Sequence, residues 1–353
     1  MRFETDVLVV GAGVSGLAVA DAVVRGRRRV TVLEARGRTG GRLLREGASL
    51  DLGATWFWGG EERTRAMVQR FGISTFAQYL EGDTMYEDHR GVQRLRGNLV
   101  DVPAVRFDGG AARLTDELAA VLPEGTVELG CVVEAVGRGE VDGDALVVTT
   151  ADGRTWRADH VVLALPPALA MAAIRLAGDL PAELRRIATA TPVWMGDTVK
   201  VVAVYDEPFW RSEGLAGAGV SRVGPLREIH DMSGADGRPA ALFGFAPAPS
   251  VELDLGDRVR EQLVRMFGPR AARPGELVVQ NWNAEVWTVP PHPDAGAAVA
   301  ASRDFTLFGH SVYQHPALHG RLHWASTETS RSHPGHIEGA LEAAERAARA
   351  ILT

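Results

Sequence analysis

The stretch that decides the fold is residues 6–42, which read DVLVVGAGVSGLAVADAVVRGRRRVTVLEARGRTGGR. It begins with a β-branched run at 6–10, the pattern of a buried parallel strand. A glycine-rich turn at 11–16 follows, then a helical pattern at 17–24 and a second strand pattern at 30–33. A strand, a helix and a second strand in this order predict a βαβ unit of an α/β fold.

The spacing of the glycines in this unit has a physical reason. Gly11 permits a tight turn, Gly13 lets the backbone approach a pyrophosphate, and Gly16 lets the helix pack closely on the strand. The helix N-terminus faces the diphosphate, where free N–H groups and the helix dipole favour negative charge. Glu34 lies 18 residues after Gly16, where its carboxylate accepts hydrogen bonds from a ribose diol and repels a 2′-phosphate. Together these residues predict a dinucleotide-binding site.

Two further segments extend this site beyond the second strand. Gly40, Gly41 and Arg42 come first, and DLGATW follows at residues 51–56. Glycines and an arginine at this place add N–H donors and a cation for a diphosphate. The arrangement is similar to that of FAD-dependent oxidases and is unusual in NAD dehydrogenases. The alternative for Arg42 is a solvated loop charge.

Composition narrows the class of protein. The 353 residues suffice for two domains with substantial cores, and a net charge of −7 with an isoelectric point of about 5.8 implies no nucleic-acid partner. Cys131 is the single cysteine, which excludes an internal disulfide and fits a reducing compartment. The first strand begins almost at Met1, which leaves no room for a signal peptide. No apolar run is long enough to span a membrane, so we expect a cytoplasmic protein.

Lysine usage is extreme in this chain. Of 38 basic side chains, Lys200 is the only lysine. Because arginine serves wherever a generic positive charge is needed, a lysine suggests a role for a compact ammonium whose pKa falls on burial. Chance retention is the alternative.

The rest of the chain predicts further strands and helices. Helical patterns cover residues 111–121, 168–174, 182–189, 257–267 and 338–352. Strand patterns cover residues 126–134, 145–150, 155–158, 160–165, 199–205, 243–245, 278–282 and 323–325. Residues 57–106 have a mixed, irregular pattern that predicts no clear element.

Three histidines are spaced four residues apart, as metal ligands on a helix would be: His315, His319 and His323. Pro316 and Gly320 break any helix there, so we expect no metal site.

Two other groups of residues give weaker signals. His230 and Asp231 are expected to form a surface pair. The aromatic run at residues 56–58 fits a pocket lining and a core equally well.

Motifs near the C-terminus resemble those of a known family. LHWASTET stands at 322–329, GHIEGA at 335–340 and EAAER at 342–346. This combination looks like the closing FAD motif of the flavin-containing amine oxidase family, which includes monoamine oxidase. Further segments that resemble the family are WMGDTVK at 194–200, YDEPFWR at 205–211, ALPP at 164–167 and Asn281 with Trp282.

The resemblance implies a fold of two domains. One is an α/β, FAD-binding, Rossmann-like domain of the glutathione-reductase type, assembled from residues 1–56, 105–167 and 281–353. The other is an α+β substrate domain, assembled from residues 57–104 and 168–280. In this family a strand, a turn and a helix near the C-terminus bring a second helix N-terminus onto the flavin and the diphosphate.

The resemblance also implies roles for individual residues. Lys200 matches the lysine that holds a water at flavin N5, Trp282 matches the tryptophan beside the isoalloxazine, and His336 falls on one tyrosine of an aromatic cage. These three are the candidate catalytic residues, and the backbone of Val133 is expected at the adenine end. The candidate cofactor-binding residues are Gly11, Gly13, Gly16, Glu34, Ala35, Arg36, Gly41, Arg42, Gly53, Ala54, Thr55, Val133, Trp282, Thr327, Glu328, His336 and Ile337.

The sequence departs from the family in several ways. The cysteine that links flavin covalently in mitochondrial monoamine oxidases is absent, so non-covalent FAD is expected, with a histidyl link through His292 or His310 as the alternative. The membrane anchor of those enzymes is absent too, and Ser326 replaces the usual glycine before Thr-Glu. The segment between Trp56 and Gly109 is short, which predicts an open active site that accepts a bulky substrate or is covered by a second subunit of a homodimer.

The reaction implied by the resemblance is two-electron oxidation of a C–N bond in a small-molecule amine. The neutral amine gives a hydride equivalent to flavin N5, the imine hydrolyses, and O2 reoxidises the flavin to give H2O2. No protein base is strictly required, in agreement with the lack of an obvious one in the sequence. A histidine at position 336 adds a polar edge to the cage, which predicts a substrate more polar than a simple arylalkylamine.

Two alternatives remain open at this point. One is another FAD-dependent reaction on the same fold, by a desaturase or by an amino-acid oxidase, which would need an arginine for the substrate carboxylate. The other is a flavin-binding protein without catalysis, in which the short segment leaves no competent cavity.

Overall fold

The computed structural model describes residues 1–47, 49–139, 145–248, 254–290 and 304–353. Two large sheets organise the chain, one of eight strands and one of seven, together with two small sheets of two and three strands. None of the helices in these described ranges is long and apolar enough to cross a membrane.

The eight-stranded sheet is built on the βαβ unit that the sequence predicts. Strand β1 (Arg2–Val10) pairs in parallel with β2 (Val30–Leu33), and helix α1 (Val14–Arg25) connects them. The other strands of this sheet are β10 (Val127–Glu128), β11 (Val133–Arg138), β12 (Leu146–Thr150), β13 (Thr155–Leu163), β14 (Arg175–Leu176) and β20 (Leu322–Trp324). Their order is β10-β2-β1-β13-β12-β11-β14, and β20 pairs with β13.

Two strand boundaries in this sheet differ from the sequence prediction. The patterns at 155–158 and 160–165 form one continuous strand, β13, because it pairs with β1 along its whole length. Residues 126–134 form two strands instead of one. The break includes Gly130, whose φ of 67° lies in the left-handed region that a strand does not use.

The seven-stranded sheet has the order β19-β15-β18-β17-β16-β7-β8. Its strands are β7 (Asp83–Asp88), β8 (Gly91–Leu95), β15 (Thr198–Tyr205), β16 (Leu215–Ser221), β17 (Glu228–Asp231), β18 (Ala240–Pro247) and β19 (Glu276–Asn281). Strand β15 is next to the edge strand β19 and pairs antiparallel with both β18 and β19, so Lys200 lies on an internal strand of this sheet.

The remaining elements connect and cover these sheets. The small sheets contain β3 (Arg45–Glu46), β4 (Leu50–Asp51), β5 (Trp56–Phe57), β6 (Thr75–Ala77) and β9 (Val105–Phe107). The further helices are α2 (Glu62–Arg70), α3 (Arg113–Ala120), α4 (Pro167–Ala173), α5 (Ala182–Ala190), α6 (Phe209–Ser212), α7 (Leu255–Phe267) and α8 (Ile337–Leu352). Residues 57–106, which look irregular in the sequence, thus hold one helix and several strands.

The division of the chain into two domains stays a prediction. The segment at 170–188 packs in the same core as β1 and β13, because Ile174, Leu184 and Ile187 cluster with Leu8 and Val161. Residues from 57–73 pack in the core on the other face of this sheet. These contacts favour assigning both segments to the first sheet instead of the substrate domain.

Candidate functional site

A cavity of about 470 Å³ lies where the two large sheets approach each other. The last residues of β1 and β2, the first turns of α1 and α8, and the start of β15 all contribute to its wall. Carboxyl ends of parallel strands are where α/β sheets bind ligands, so the fold itself selects this place.

The glycine-rich turn forms one end of the cavity and fits the predicted diphosphate site. Helix α1 begins after Gly13, and no side chain among the described residues caps it, which leaves its first N–H groups free for an anion. A Cβ added at Gly13 would meet nothing within 4 Å, whereas one at Gly16 would collide with the Gly11 carbonyl oxygen. Gly13 therefore keeps space open on the cavity side, and Gly16 permits close packing.

Glu34 lies at the end of β2, buried and facing the cavity. Its Oε2 accepts a hydrogen bond from the Ala12 N–H at 2.7 Å, and its Oε1 accepts one from the Arg36 N–H at 2.9 Å. These bonds fix the carboxylate in orientation and leave lone pairs for a ligand hydroxyl, since a carboxylate has about four acceptor positions.

Arg42 and Glu328 form a two-bond ion pair beside the cavity. The Arg42 guanidinium donates to both carboxylate oxygens of Glu328, at 2.6 and 3.1 Å. Glu328 is fully buried, also accepts from the Trp194 N–H at 3.2 Å, and does not line the cavity. The Glu328 carboxylate thus holds the Arg42 guanidinium, which lines the cavity, and a direct contact of Glu328 with the cofactor stays a prediction. Arg42 is thus not a solvated loop charge.

The N-terminus of α8 forms a second, uncapped helix start at the cavity. The Thr327 hydroxyl donates to the His336 carbonyl oxygen and accepts from the Gly335 N–H, each at 2.8 Å. This turn holds Ile337 and His336 in the wall, as the motif at 322–340 predicts.

Lys200 is buried at the base of the cavity. Its Nζ donates to the Gly53 carbonyl oxygen at 3.0 Å and to the Thr55 hydroxyl at 2.6 Å, and lies 4.1 Å from the centre of the Phe243 ring. Burial lowers the pKa of Lys200 to about 7, and the nearby Asp51 carboxylate opposes this shift. Burial raises the pKa of Asp51, and the nearby Lys200 ammonium opposes this rise because it favours the charged carboxylate.

Trp282 lines the same cavity, and its indole N–H donates to the Leu52 carbonyl oxygen at 3.0 Å. Of the aromatic run at 56–58, Trp56 and Trp58 line the cavity, whereas Phe57 is in the core.

Cys131 is buried and borders the cavity, and burial raises the pKa of its thiol.

His336 contacts a carboxylate that no motif in the sequence marks. Its Nδ1 lies 2.6 Å from Oε1 of Glu61, and its ring centre lies 4.8 Å from that of Trp58. Glu61 precedes α2, in a segment whose pattern is irregular, so no periodicity marks it. Only the packing of α2 against α8 brings the two residues together.

The expectation that His230 and Asp231 form a surface pair is wrong. Both are buried, because β17 is an internal strand of the seven-stranded sheet. His230 Nδ1 lies 2.7 Å from Asp101 and its Nε2 lies 3.7 Å from Glu228, which lines the cavity. Burial lowers the pKa of His230, but the contacts with Asp101 and Glu228 outweigh this and raise it overall.

Most of the predicted site residues meet in this one cavity. Lining residues include Gly11, Gly13, Glu34, Ala35, Arg36, Gly41, Arg42, Gly53, Ala54, Thr55, Val133, Lys200, Trp282, Thr327, His336 and Ile337. Gly16 and Glu328 lie behind the wall. His310 is not a lining residue, and His292 lies outside the described residues. Among the described residues there is no cluster of side chains suited to a metal ion.

Two family models match segments of the chain that contribute residues to this site. Residues 85–352 match the model described as flavin containing amine oxidoreductase, and residues 9–71 match an NAD(P)-binding Rossmann-like domain.

Relatives with assigned names cover most of the chain. A putative flavin-containing monoamine oxidase from Mycobacterium tuberculosis is 26% identical over 450 residues, which cover 99% of this chain and 97% of that protein. Putrescine oxidase from Kocuria rosea is 24% identical, with 99% and 95% covered. A probable flavin-containing monoamine oxidase A from Dictyostelium discoideum is 29% identical over 253 residues, and this chain spans 53% of its length.

Solved structures share the fold. Putrescine oxidase bound to putrescine superposes with a TM-score of 0.83 at 21% identity, covering 99% of both chains. Cyclohexylamine oxidase from Brevibacterium oxydans superposes with a TM-score of 0.81 at 21% identity, covering 99% of this chain and 98% of that one.

Proposed function

The chain belongs to the flavin-containing amine oxidoreductase family, and we propose that it oxidises the C–N bond of an amine with non-covalently bound FAD. The observation that carries the proposal is the meeting of three features in one cavity. They are the uncapped start of α1, the fixed carboxylate of Glu34 and the buried ammonium of Lys200. The first two fit a dinucleotide, and the third fits redox chemistry.

The residues present fit FAD. The free N–H groups after Gly13 and the Arg42 guanidinium suit the diphosphate, and Glu34 suits the ribose. The start of α8 adds a second set of N–H groups. When bound, FAD supplies a two-electron acceptor. Non-covalent binding is supported by the wall itself, because Cys131, the single cysteine, is held beside Arg154 at 3.2 Å.

Lys200 would serve the oxygen half of the reaction. A buried ammonium 4.1 Å from an aromatic ring stabilises a negative charge that develops near it more strongly than an exposed one would. The step that needs such help is electron transfer to O2, which gives H2O2. Trp282 would position the ring system of the cofactor, since its N–H is already anchored to Leu52.

The cavity favours an amine with a second positive group. Glu228 lines the wall on β17, paired with Phe245 of β18, and its side chain is 59% exposed. The contact with His230 lowers the pKa of Glu228 and keeps it charged. A carboxylate at this place suits the distal ammonium of a diamine, and the Kocuria rosea relative is a putrescine oxidase. Glu228→Gln should raise KM for putrescine while KM for cyclohexylamine stays unchanged; equal effects on both would exclude this contact.

We also propose a cytoplasmic location and a homodimer that covers the open side of the cavity. The single buried cysteine is consistent with a reducing compartment. The short segment between Trp56 and Gly109 leaves little chain to cover the site within one subunit.

Anaerobic titration tests the proposed reaction. The yellow holoprotein is mixed without oxygen with cyclohexylamine, putrescine, amino acids and cyclic hydrocarbons, and the flavin absorbance is followed. We expect loss of absorbance with amines and recovery with H2O2 production after air is admitted. Bleaching by amino acids or hydrocarbons alone would favour the alternative FAD reactions, and bleaching by none would favour a binding protein.

A further inference from the structure

The wall of the cavity contains a histidine–carboxylate pair, His336 with Glu61. The two side chains meet at 2.6 Å, between Nδ1 of His336 and Oε1 of Glu61. Glu61 is almost fully buried, at 4% exposure, whereas the imidazole is 33% exposed and borders the cavity. The carboxylate therefore lies behind the ring, and the ring lies between the carboxylate and the cavity.

Three further contacts fix this pair. The second carboxylate oxygen of Glu61, Oε2, accepts a hydrogen bond from the backbone N–H of Trp58 at 3.2 Å. The Trp58 indole lies against the imidazole at 4.8 Å, and the Thr327 hydroxyl holds the His336 carbonyl oxygen. The contacts at the ring edge, at one ring face and at the backbone hold the imidazole in one orientation toward the cavity.

The partners decide which ring nitrogen is available. A carboxylate only accepts hydrogen bonds, so the ring nitrogen in contact with Glu61 must be the donor. Nδ1 therefore carries the proton. Nε2 is then a hydrogen-bond acceptor, and none of the described residues bonds to it. In its neutral form His336 thus presents to the cavity an Nε2 with a free lone pair.

We propose that Nε2 of His336 removes a proton from the ammonium form of the substrate, and that Glu61 is the positioning residue for this base. The inference rests on the proposed function. An alkylamine is protonated at neutral pH, since ammonium groups of this kind titrate near pH 10, and an ammonium has no lone pair to assist oxidation. The N–H bond of the ammonium breaks, its electron pair stays on the amine nitrogen, and the proton forms a new N–H bond at Nε2.

Charges around the ring support this transfer. His336 precedes α8, where the helix dipole disfavours a positive charge. The Glu61 carboxylate is in direct contact and favours the imidazolium. Glu338, in the first turn of α8, bonds Arg63 and Thr64 instead, and the His333 ring centre lies 6.2 Å away. Glu61 is therefore the carboxylate in direct contact with the imidazole that receives the proton.

The pH profile of kcat/KM for cyclohexylamine distinguishes a base from its absence. With the base, the reactive pair is neutral imidazole and ammonium, so kcat/KM should form a plateau over the pH units just below about pH 10, where the substrate is still an ammonium. Without it, only free amine reacts, and kcat/KM should rise about tenfold per pH unit over that range. We expect the plateau for the unchanged protein and the steady rise for His336→Gln.

Glu61→Gln tests the positioning role, with Glu62→Gln as the matched control at an exposed neighbouring carboxylate. Glu61→Gln should lower the plateau about 10- to 100-fold, because the imidazolium formed by the proton transfer loses its carboxylate partner. Glu62→Gln should keep the plateau. A plateau retained in His336→Gln, or equal profiles for the two glutamine variants, would overturn the inference.

A second readout does not depend on turnover. In holoprotein labelled with 15N-histidine, the signals lost in His336→Gln identify the residue, and their shifts report the tautomer. We expect a proton on Nδ1 and none on Nε2, with the preference lost in Glu61→Gln; a proton on Nε2 in the unchanged protein would contradict the proposal. If amines are oxidised with a steadily rising profile, only this inference fails; if no amine is oxidised at any pH, the proposed function fails.

Discussion

Lys200 and Asp51 are two opposite charges buried in the same place, each 1% exposed. The carboxylate accepts from the Ala111 N–H at 2.8 Å through one oxygen, and its other oxygen has no hydrogen-bond partner among the described residues. Burial disfavours both charges, and their mutual attraction restores part of the loss. The charge on Lys200 is therefore set by the residues around it.

Replacing the lysine measures what its charge does. Lys200→Met should slow turnover by roughly 10- to 1000-fold, about 1.4 to 4 kcal/mol, while FAD stays bound, because the ammonium contacts Gly53 and Thr55 and not the diphosphate end. Stopped-flow reoxidation by O2 and the flavin content of the purified variant give both quantities. Kinetics equal to those of the unchanged enzyme would return Lys200 to a purely structural role.

The Lys200–Asp51 pair predicts that the rate constant of flavin reoxidation depends on pH. Because the pKa of Lys200 falls to about 7, its positive charge is present below this pH and lost above it, and the reoxidation rate constant should fall as pH rises through that region. Asp51→Asn keeps the acceptor for Ala111 but removes the charge that raises the pKa of Lys200, so the fall should occur at lower pH. Glu46→Gln, at an exposed carboxylate on the paired strand, is the control and should leave the profile in place.

At the scale of elements, two glycines at the start of α1 have different roles, one in FAD binding and the other in folding. Gly13→Ala adds a methyl group to open space, so the chain should fold but bind FAD more weakly. Gly16→Ala pushes a methyl group into the Gly11 carbonyl oxygen and should lower the free energy of unfolding by about 1–3 kcal/mol. Gly37→Ala, in an exposed loop without close neighbours, is the control. FAD titration and urea unfolding measure the two effects, and a Gly13→Ala variant with unchanged FAD affinity would argue against the assigned diphosphate site.

Elements with strong local signals match the sequence prediction, and those with weak ones do not. The predicted helix at 257–267 is observed as Leu255–Phe267, and the predicted strand at 199–205 as Thr198–Tyr205. By contrast, α2 and β16 were not predicted. Strand β16 reads LAGAGVS, which lacks alternation because both faces are buried, and α2 is short and mostly exposed.

At the scale of the whole molecule, the cofactor should stabilise the fold by joining distant parts of the chain. The cavity wall draws on residues from the first βαβ unit, from β15 and from α8. A ligand bound only to the folded state at 100 times its Kd adds about 2.7 kcal/mol. Acid precipitation should release the flavin, and gently prepared apoprotein should melt at a lower Tm that added FAD restores. Flavin retained in the washed acid pellet would show a covalent link instead.

The openness of the site also belongs to this scale and stays a prediction. The segment after Trp56 contributes Trp58 and Glu61 to the site and then continues into the second sheet through β7 and β8. Sedimentation analysis of the holoprotein tests whether a second subunit supplies the cover, and a strictly monomeric enzyme would leave the site open to bulky amines.

The amino-acid sequence by itself determined the nucleotide-binding unit, the family and a set of candidate site residues of which all but Gly16 and Glu328 line the cavity. It did so because glycines at fixed spacing, strand patterns and the closing motif act over short stretches of chain. Only the tertiary structure decided that Glu328 stands behind Arg42, that His230 is buried, and that Glu61 meets His336 across 275 positions. These contacts join residues far apart in the chain, so no local pattern encodes them, and they depend on how the helices and sheets pack.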